Sequence, residues 1–192
     1  EGLREEARQR EYAWLTGDVR GEDRALQYGH RAAIVLFTGS AQTGKTFLAR
    51  RVEALLVADS RHAYLLEGEN LLQGLDADLS AADPSFAAER VRRYGEVARL
   101  LIDTGLIVVS TSKTFGINYQ RMAEMIRTLV QPAPVIAVHM SRAGEEAPPN
   151  TDLHFAGPQD FDAAARQILE ELKKRGVLIQ PSGAKSTIQY SI

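Results

Sequence analysis

The residues best placed to do chemistry run consecutively: Gly39-Ser40-Ala41-Gln42-Thr43-Gly44-Lys45-Thr46. Their spacing is G-x-x-x-x-G-K-[ST], the pattern of a phosphate-binding loop. Gly39 and Gly44 permit backbone angles that a Cβ disfavours. The loop N–H groups then converge at the positive end of a helix dipole. Lys45 brings a mobile positive charge to the terminal phosphates, and the Thr46 hydroxyl can face Mg²⁺. The competing reading is a chance glycine turn between a strand and a helix. The flanks argue against it, and a nucleoside triphosphate is the expected ligand, held by all of these residues.

A second constellation is Glu67-Gly68-Glu69-Asn70. Two carboxylates bracketing a glycine at a strand end could hold Mg²⁺ or a substrate hydroxyl. A plain charged turn is the alternative. A third segment is Lys113-Thr114-Phe115-Gly116, just beyond an apolar run.

The elements that must position these residues follow from hydrophobic periodicity. Residues 32–37 (AAIVLF) form an apolar, β-branched run that reads as a buried parallel strand. Residues 47–56 repeat apolar side chains at helical spacing. Further strands are expected at 62–66, 106–110 and 134–139, with a short fifth at 152–155. Helices are expected at 85–104, 118–129 and 161–175. Residues 76–84 and 141–150 read as loops. Strands alternating with helices predict an α/β fold with a mostly parallel five-stranded sheet. Ligands of such sheets bind at the carboxyl ends of the strands. The phosphate loop, Glu67 and Glu69, and Lys113 all fall on that edge.

Residues 3–16 favour a helix that stops at Gly17, and residues 18–29 read as a polar surface connection. The organisation is therefore an N-terminal helix and linker (1–30), a nucleotide-binding domain (31–178) and a polar tail (179–192). Within the tail, Gly183-Ala184-Lys185-Ser186 resembles half a phosphate loop but lacks a framing strand or helix. The chain starts at Glu1 rather than methionine, so a longer parent polypeptide is expected.

Composition limits the partners. The 192 residues are 44% hydrophobic and 25% charged, with a net charge of −2. This balance implies no general attraction to nucleic acid or an anionic membrane. No apolar run is long enough to span a bilayer, and no signal peptide is evident. Cysteine is absent, which removes disulfides and thiolate metal sites and fits a cytoplasmic location. His30, His62, His139 and His154 show no ligand spacing and read as surface or strand-end residues.

Several ordered motifs resemble the adenylylsulfate (APS) kinase family, whose members use ATP to phosphorylate the 3′-hydroxyl of APS in sulfate activation. The resemblance runs from about Trp14 to Phe155. The family's D-G-D-N segment stands here as Glu67-Gly68-Glu69-Asn70, its G-L as Gly74-Leu75 and its D-L as Asp78-Leu79. Its E-N-I-R-R-I-G-E-V-A-K-L helix segment is matched by residues 89–100, and its D-A-G-L-I-V segment by residues 103–108. Gly29-His30 also fits. The resemblance implies a P-loop NTPase three-layer sandwich, with ATP and Mg²⁺ as cofactors. It implies Lys45, Glu67 and Glu69 as catalytic residues. Thr46 and Glu69 would face the metal, and Asn70, Arg92, Lys113 and Phe115 the substrate. It further raises a homodimer and an upstream fused sulfate-activating domain as partners.

The departures bear on activity. A family arginine that holds substrate stands here as Leu72, and a family asparagine as Arg90. Ser112-Lys113-Thr114-Phe115-Gly116 lacks the proline and arginine of the family's I-S-P-F/Y-R segment. After His139 the family's lid, with its R-D-P-K-G and F-T-G-I-D segments, is replaced by one short loop. The favoured expectation is a nucleotide-binding module with degraded catalysis, belonging to a larger sulfate-activating protein. The alternative is an active kinase on APS or a related acceptor. A third reading, an NTPase switch, lacks the N-K-x-D segment that reads guanine.

Overall fold

A computed structural model describes residues 17–111, 119–157 and 160–179. The elements in chain order are α1 (Gly21–Tyr28), β1 (Ala33–Gly39), α2 (Lys45–Ala58), β2 (Ala63–Glu67), α3 (Gly68–Leu71) and α4 (Phe86–Asp103). They continue with β3 (Ile107–Thr111), α5 (Tyr119–Leu129), β4 (Val135–Ser141), β5 (Leu153–Ala156) and α6 (Phe161–Lys174). The strands form one five-stranded sheet in the order β2-β3-β1-β4-β5. Every neighbouring pair is parallel. The expected mostly parallel sheet is thus wholly parallel among the described residues.

β1 occupies the centre because its sequence has no polar face to present. All seven of its residues are buried. Ala33, Val35 and Phe37 join the core beneath α2 and α6, with Leu48, Val52, Ile168 and Leu172. Ile34 and Leu36 join the core beneath α4 and α5, with Val91, Tyr94, Ala98 and Ile126. Alternate residues of one strand therefore supply both layers, which makes the three-layer sandwich. Burying each of the larger side chains contributes about 1.5–3 kcal/mol. At its end β1 approaches β4 so closely that a Cβ on Gly39 would lie 1.9 Å from the Met140 carbonyl oxygen. Gly39 also has φ 119°, so only glycine fits there.

Three sequence expectations need correction. Residues 18–29, expected as a surface connection, contain the helix α1. The Asp23 carboxylate accepts the Arg20 N–H at 2.9 Å at its start. Gly29, in the left-handed region, closes its end. Only Ala25 of this helix is buried, so it lacks the apolar stripe that would announce it. The loop expected at 141–150 loses its first residue to β4, which runs to Ser141. His30 and His139, expected at the surface or at strand ends, are 0% and 3% exposed.

The described C-terminal residues close the domain. His30 bridges Leu178 in antiparallel fashion, Arg31 N–H donates to Val177 O at 2.8 Å, and Ile179 N–H donates to Gly29 O at 3.0 Å.

Candidate nucleotide-binding site

The phosphate loop joins the buried strand β1 to the first turn of α2. Gly44 caps α2 in the left-handed region at φ 86°, and Gln42 has φ 62°. The Ser40 N–H donates to Met140 O at 3.0 Å, which anchors the loop to β4. The Thr43 hydroxyl donates to Ser40 O at 2.9 Å across the turn. Lys45 folds back over this frame. Its ammonium donates to Gly39 O at 2.9 Å and also to Ser40 O. Burial pulls the Lys45 ammonium below the usual lysine range, and the Glu69 carboxylate opposes that shift. Thr46 is half-buried in the first turn of α2.

The carboxylate segment sits where β2 gives way to α3. Glu67 ends the strand and pairs with Arg50 of α2 at 3.2 Å. Glu69 and Asn70 lie in α3, half-buried and exposed respectively. Tyr94 fixes this corner from below. Its buried hydroxyl donates to Leu66 O at 2.8 Å and contacts Ser110 Oγ at 2.5 Å, linking β2 to β3. Burial holds the Tyr94 phenol far above its ordinary range.

Of the residues expected to hold substrate, Arg92 is engaged along its own helix. It donates two 2.7 Å hydrogen bonds to Glu89. Those bonds lead the causes that push Glu89 down to about 2. Lys113 and Phe115 lie outside the described residues. The neighbouring Arg93 ties α4 to the preceding loop, bonding Asp78 at 2.5 Å and the Leu75 carbonyl at 2.6 Å. Arg90 is buried and pairs with buried Asp76 at 3.4 Å.

Four side chains make contacts around the site that no motif announces. Glu145, in the connection after β4, accepts the Ser40 hydroxyl at 2.6 Å and the Arg142 N–H at 3.0 Å. The Ser40 bond, the largest cause, helps hold the Glu145 carboxyl below the usual range. His139 shares a 2.9 Å hydrogen bond with the Thr38 hydroxyl, and burial pulls its pKa down. Arg50 and Tyr94 complete the set. Their partners across the fold are 16 to 105 residues distant in sequence, so spacing gave no signal for these contacts. Among the described residues no three His, Cys, Asp or Glu side chains cluster as a metal site. No described helix is long and apolar enough to cross a membrane.

A glycine loop that turns a central parallel strand into a helix, with a lysine folded over it, defines a P-loop NTPase fold. The family model for adenylylsulphate kinase matches residues 31–152. The chain belongs to the adenylylsulfate kinase family. It is 29% identical to the adenylyl-sulfate kinase of Yersinia pestis over 194 positions, covering 86% of this chain and 89% of the relative. Those positions outnumber the residues this chain supplies, so it runs with gaps against that relative. It is 38% identical to the adenylyl-sulfate kinase of Shewanella amazonensis over 128 positions, covering 67% of this chain and 63% of the relative. Among solved structures, a point variant of the Mycobacterium tuberculosis APS kinase superposes with a TM-score of 0.65 at 29% identity. That match covers 75% of this chain and 99% of the other. A second structure of the same kinase, in complex with AMPPNP and APS, gives a TM-score of 0.62 at 24% identity, over 75% and 99%.

Proposed function

We propose that this chain binds ATP through residues 39–46 and that its kinase chemistry is degraded, leaving a nucleotide-binding module of a sulfate-activating protein. The observation that carries the binding half is the backbone of the loop. Gly39 and Gly44 take positive φ on either side of a turn that Lys45 covers. Amides presented this way at a helix start are an anion site. Oxygen donors suit Mg²⁺: the Thr46 hydroxyl would hold the ion with Glu69 nearby, and the ion would neutralise phosphate charge.

The degraded half rests on what would hold and enclose an acceptor. Leu72 stands at a family arginine, and residues 142–152 span the place of the lid. Phosphoryl transfer needs a positioned acceptor and exclusion of water. Losing a charged substrate contact costs about 2–5 kcal/mol when its partner stays unpaired. Glu67 is also drawn into an ion pair with Arg50. Isothermal titration should give ATP binding and none for APS. Mg-ATP with APS at high protein concentration should give no phosphorylated product.

The second reading is an active kinase. It is favoured by the Glu69 carboxylate, whose charge opposes the effect of burial on Lys45, since a carboxylate beside the phosphate loop could accept an acceptor's hydroxyl proton. Appearance of 3′-phosphorylated APS in the same assay establishes that reading and removes the first.

A further inference from the structure

An aromatic side chain stands in solvent directly after the phosphate loop. Phe47, in the first turn of α2, is 62% exposed. The α2 residues that face the sheet and α6 are Leu48, Ala49, Val52 and Leu56, all buried, so core packing does not account for Phe47. Its ring meets that of Phe161, the first residue of α6, at 4.9 Å between centroids and 57° between planes. Phe161 in turn lies against the loop itself. A Cβ built on Gly44 would sit 2.6 Å from its ring. The pair therefore borders the turn where the phosphates are expected to lie.

Two further contacts fix this arrangement. Arg51, one helical turn beyond Phe47, pairs with Asp162 at 2.6 Å, which holds the start of α6 beside α2. Asp160 caps α6 by accepting the N–H groups of Asp162 and Ala163 at 3.0 Å each. Phe161 is thus held by a capped helix start and an ion pair, while Phe47 offers open ring surface.

We infer that Phe47, backed by Phe161, is a stacking platform for the purine base of the nucleotide whose phosphates occupy residues 39–46. The inference rests on the ATP-binding reading and adds the residues that recognise the base. An exposed aromatic face beside a phosphate site suits a flat, apolar, polarisable ligand group. Stacking tolerates different bases because each has a π-face. The platform therefore supplies affinity with little choice between adenine and guanine. It gives the nucleotide a second point of attachment besides the phosphate loop.

The test titrates ATP, GTP and inorganic triphosphate into the wild-type chain and into Phe47→Ala and Phe47→Trp. Thermal unfolding confirms that each variant is folded. Phe47→Ala is expected to weaken ATP and GTP by about tenfold while triphosphate changes less than about twofold. Phe47→Trp is expected to retain or tighten nucleotide binding. Unchanged ATP affinity in Phe47→Ala overturns the platform, as does an equal loss for ATP and triphosphate. Wild-type binding of triphosphate as tight as ATP also overturns the platform while leaving the phosphate loop standing. Binding of neither ligand overturns the loop reading as well.

Discussion

The Ser40 hydroxyl donates a 2.6 Å hydrogen bond to the Glu145 carboxylate, joining the phosphate loop to the segment that follows β4. A carboxylate held at that position repels an incoming polyphosphate. Its pKa is lowered by the same bond, so it keeps its charge at every pH near neutrality. Glu145→Gln should tighten ATP binding by about threefold to tenfold at low salt. The gain should shrink at high ionic strength, because exposed charges are screened. Titrations at two salt concentrations check this. A variant that binds ATP more weakly would show that Glu145 supports the loop rather than opposing the ligand.

The two loop glycines should respond differently to an added methyl group. At Gly39 the new Cβ meets backbone, Met140 O at 1.9 Å, and neither strand can move without breaking the β1–β4 ladder. Gly39→Ala should lower stability by several kcal/mol, at the far end of single substitutions. At Gly44 the obstacle is the Phe161 ring, a side chain with somewhere to go. Gly44→Ala should still fold, with a cost of about 1–2 kcal/mol from its positive φ, and should lose ATP binding. Chemical denaturation and titration of both variants separate the cases.

Asp76 and Arg90 form an ion pair with side chains 0% and 6% exposed. Removing one member leaves a charge buried without that partner. Asp76→Ala should therefore cost about 3–5 kcal/mol. Replacement of both residues by apolar ones should restore much of the loss. The urea midpoints of the single and double variants measure it.

His30 should make stability depend on pH. Its Nε2 accepts the His62 N–H at 2.9 Å, and its Nδ1 faces the Arg31 carbonyl at 3.2 Å. The ring is thus held neutral, with the proton on Nδ1. Burial lowers its folded pKa below the ordinary histidine value of about 6.5, with the His62 and Arg61 charges acting the same way. The unfolded chain therefore takes up this proton first as pH falls. Stability from His30 is present above about pH 6.5 and is lost as pH drops toward the folded value. His139, also lowered by burial, adds in the same direction. Melting temperature should fall between pH 8 and pH 5.5, and His30→Gln should flatten the decline. An unchanged slope in that variant would assign the effect elsewhere.

Much of the site was legible because its signals are local. The β1 run is apolar on both faces, the glycines punctuate the loop, and Lys45 and Thr46 follow at fixed spacing. The Glu67-Gly68-Glu69 turn was legible for the same reason. The helix α1 was not, since it buries one alanine and begins and ends near glycines. The buried histidines were missed because polar residues read as surface until their partners are known. His30 is satisfied by residues 31 and 62, and His139 by residue 38. The Glu145–Ser40 contact and the Phe47–Phe161 pair join segments more than a hundred residues apart. No spacing rule reaches that far.

The most direct measurement is a calorimetric titration of Mg-ATP into the wild-type chain and into Lys45→Ala. On the proposed reading the Lys45 ammonium is the one mobile charge that the loop would bring to the phosphates, and it rests on Gly39 O. The wild type should bind ATP with a measurable Kd, and Lys45→Ala should weaken it by about a hundredfold or more while melting at a similar temperature. Equal affinity in the two proteins, or no heat of binding in the wild type, would contradict the account.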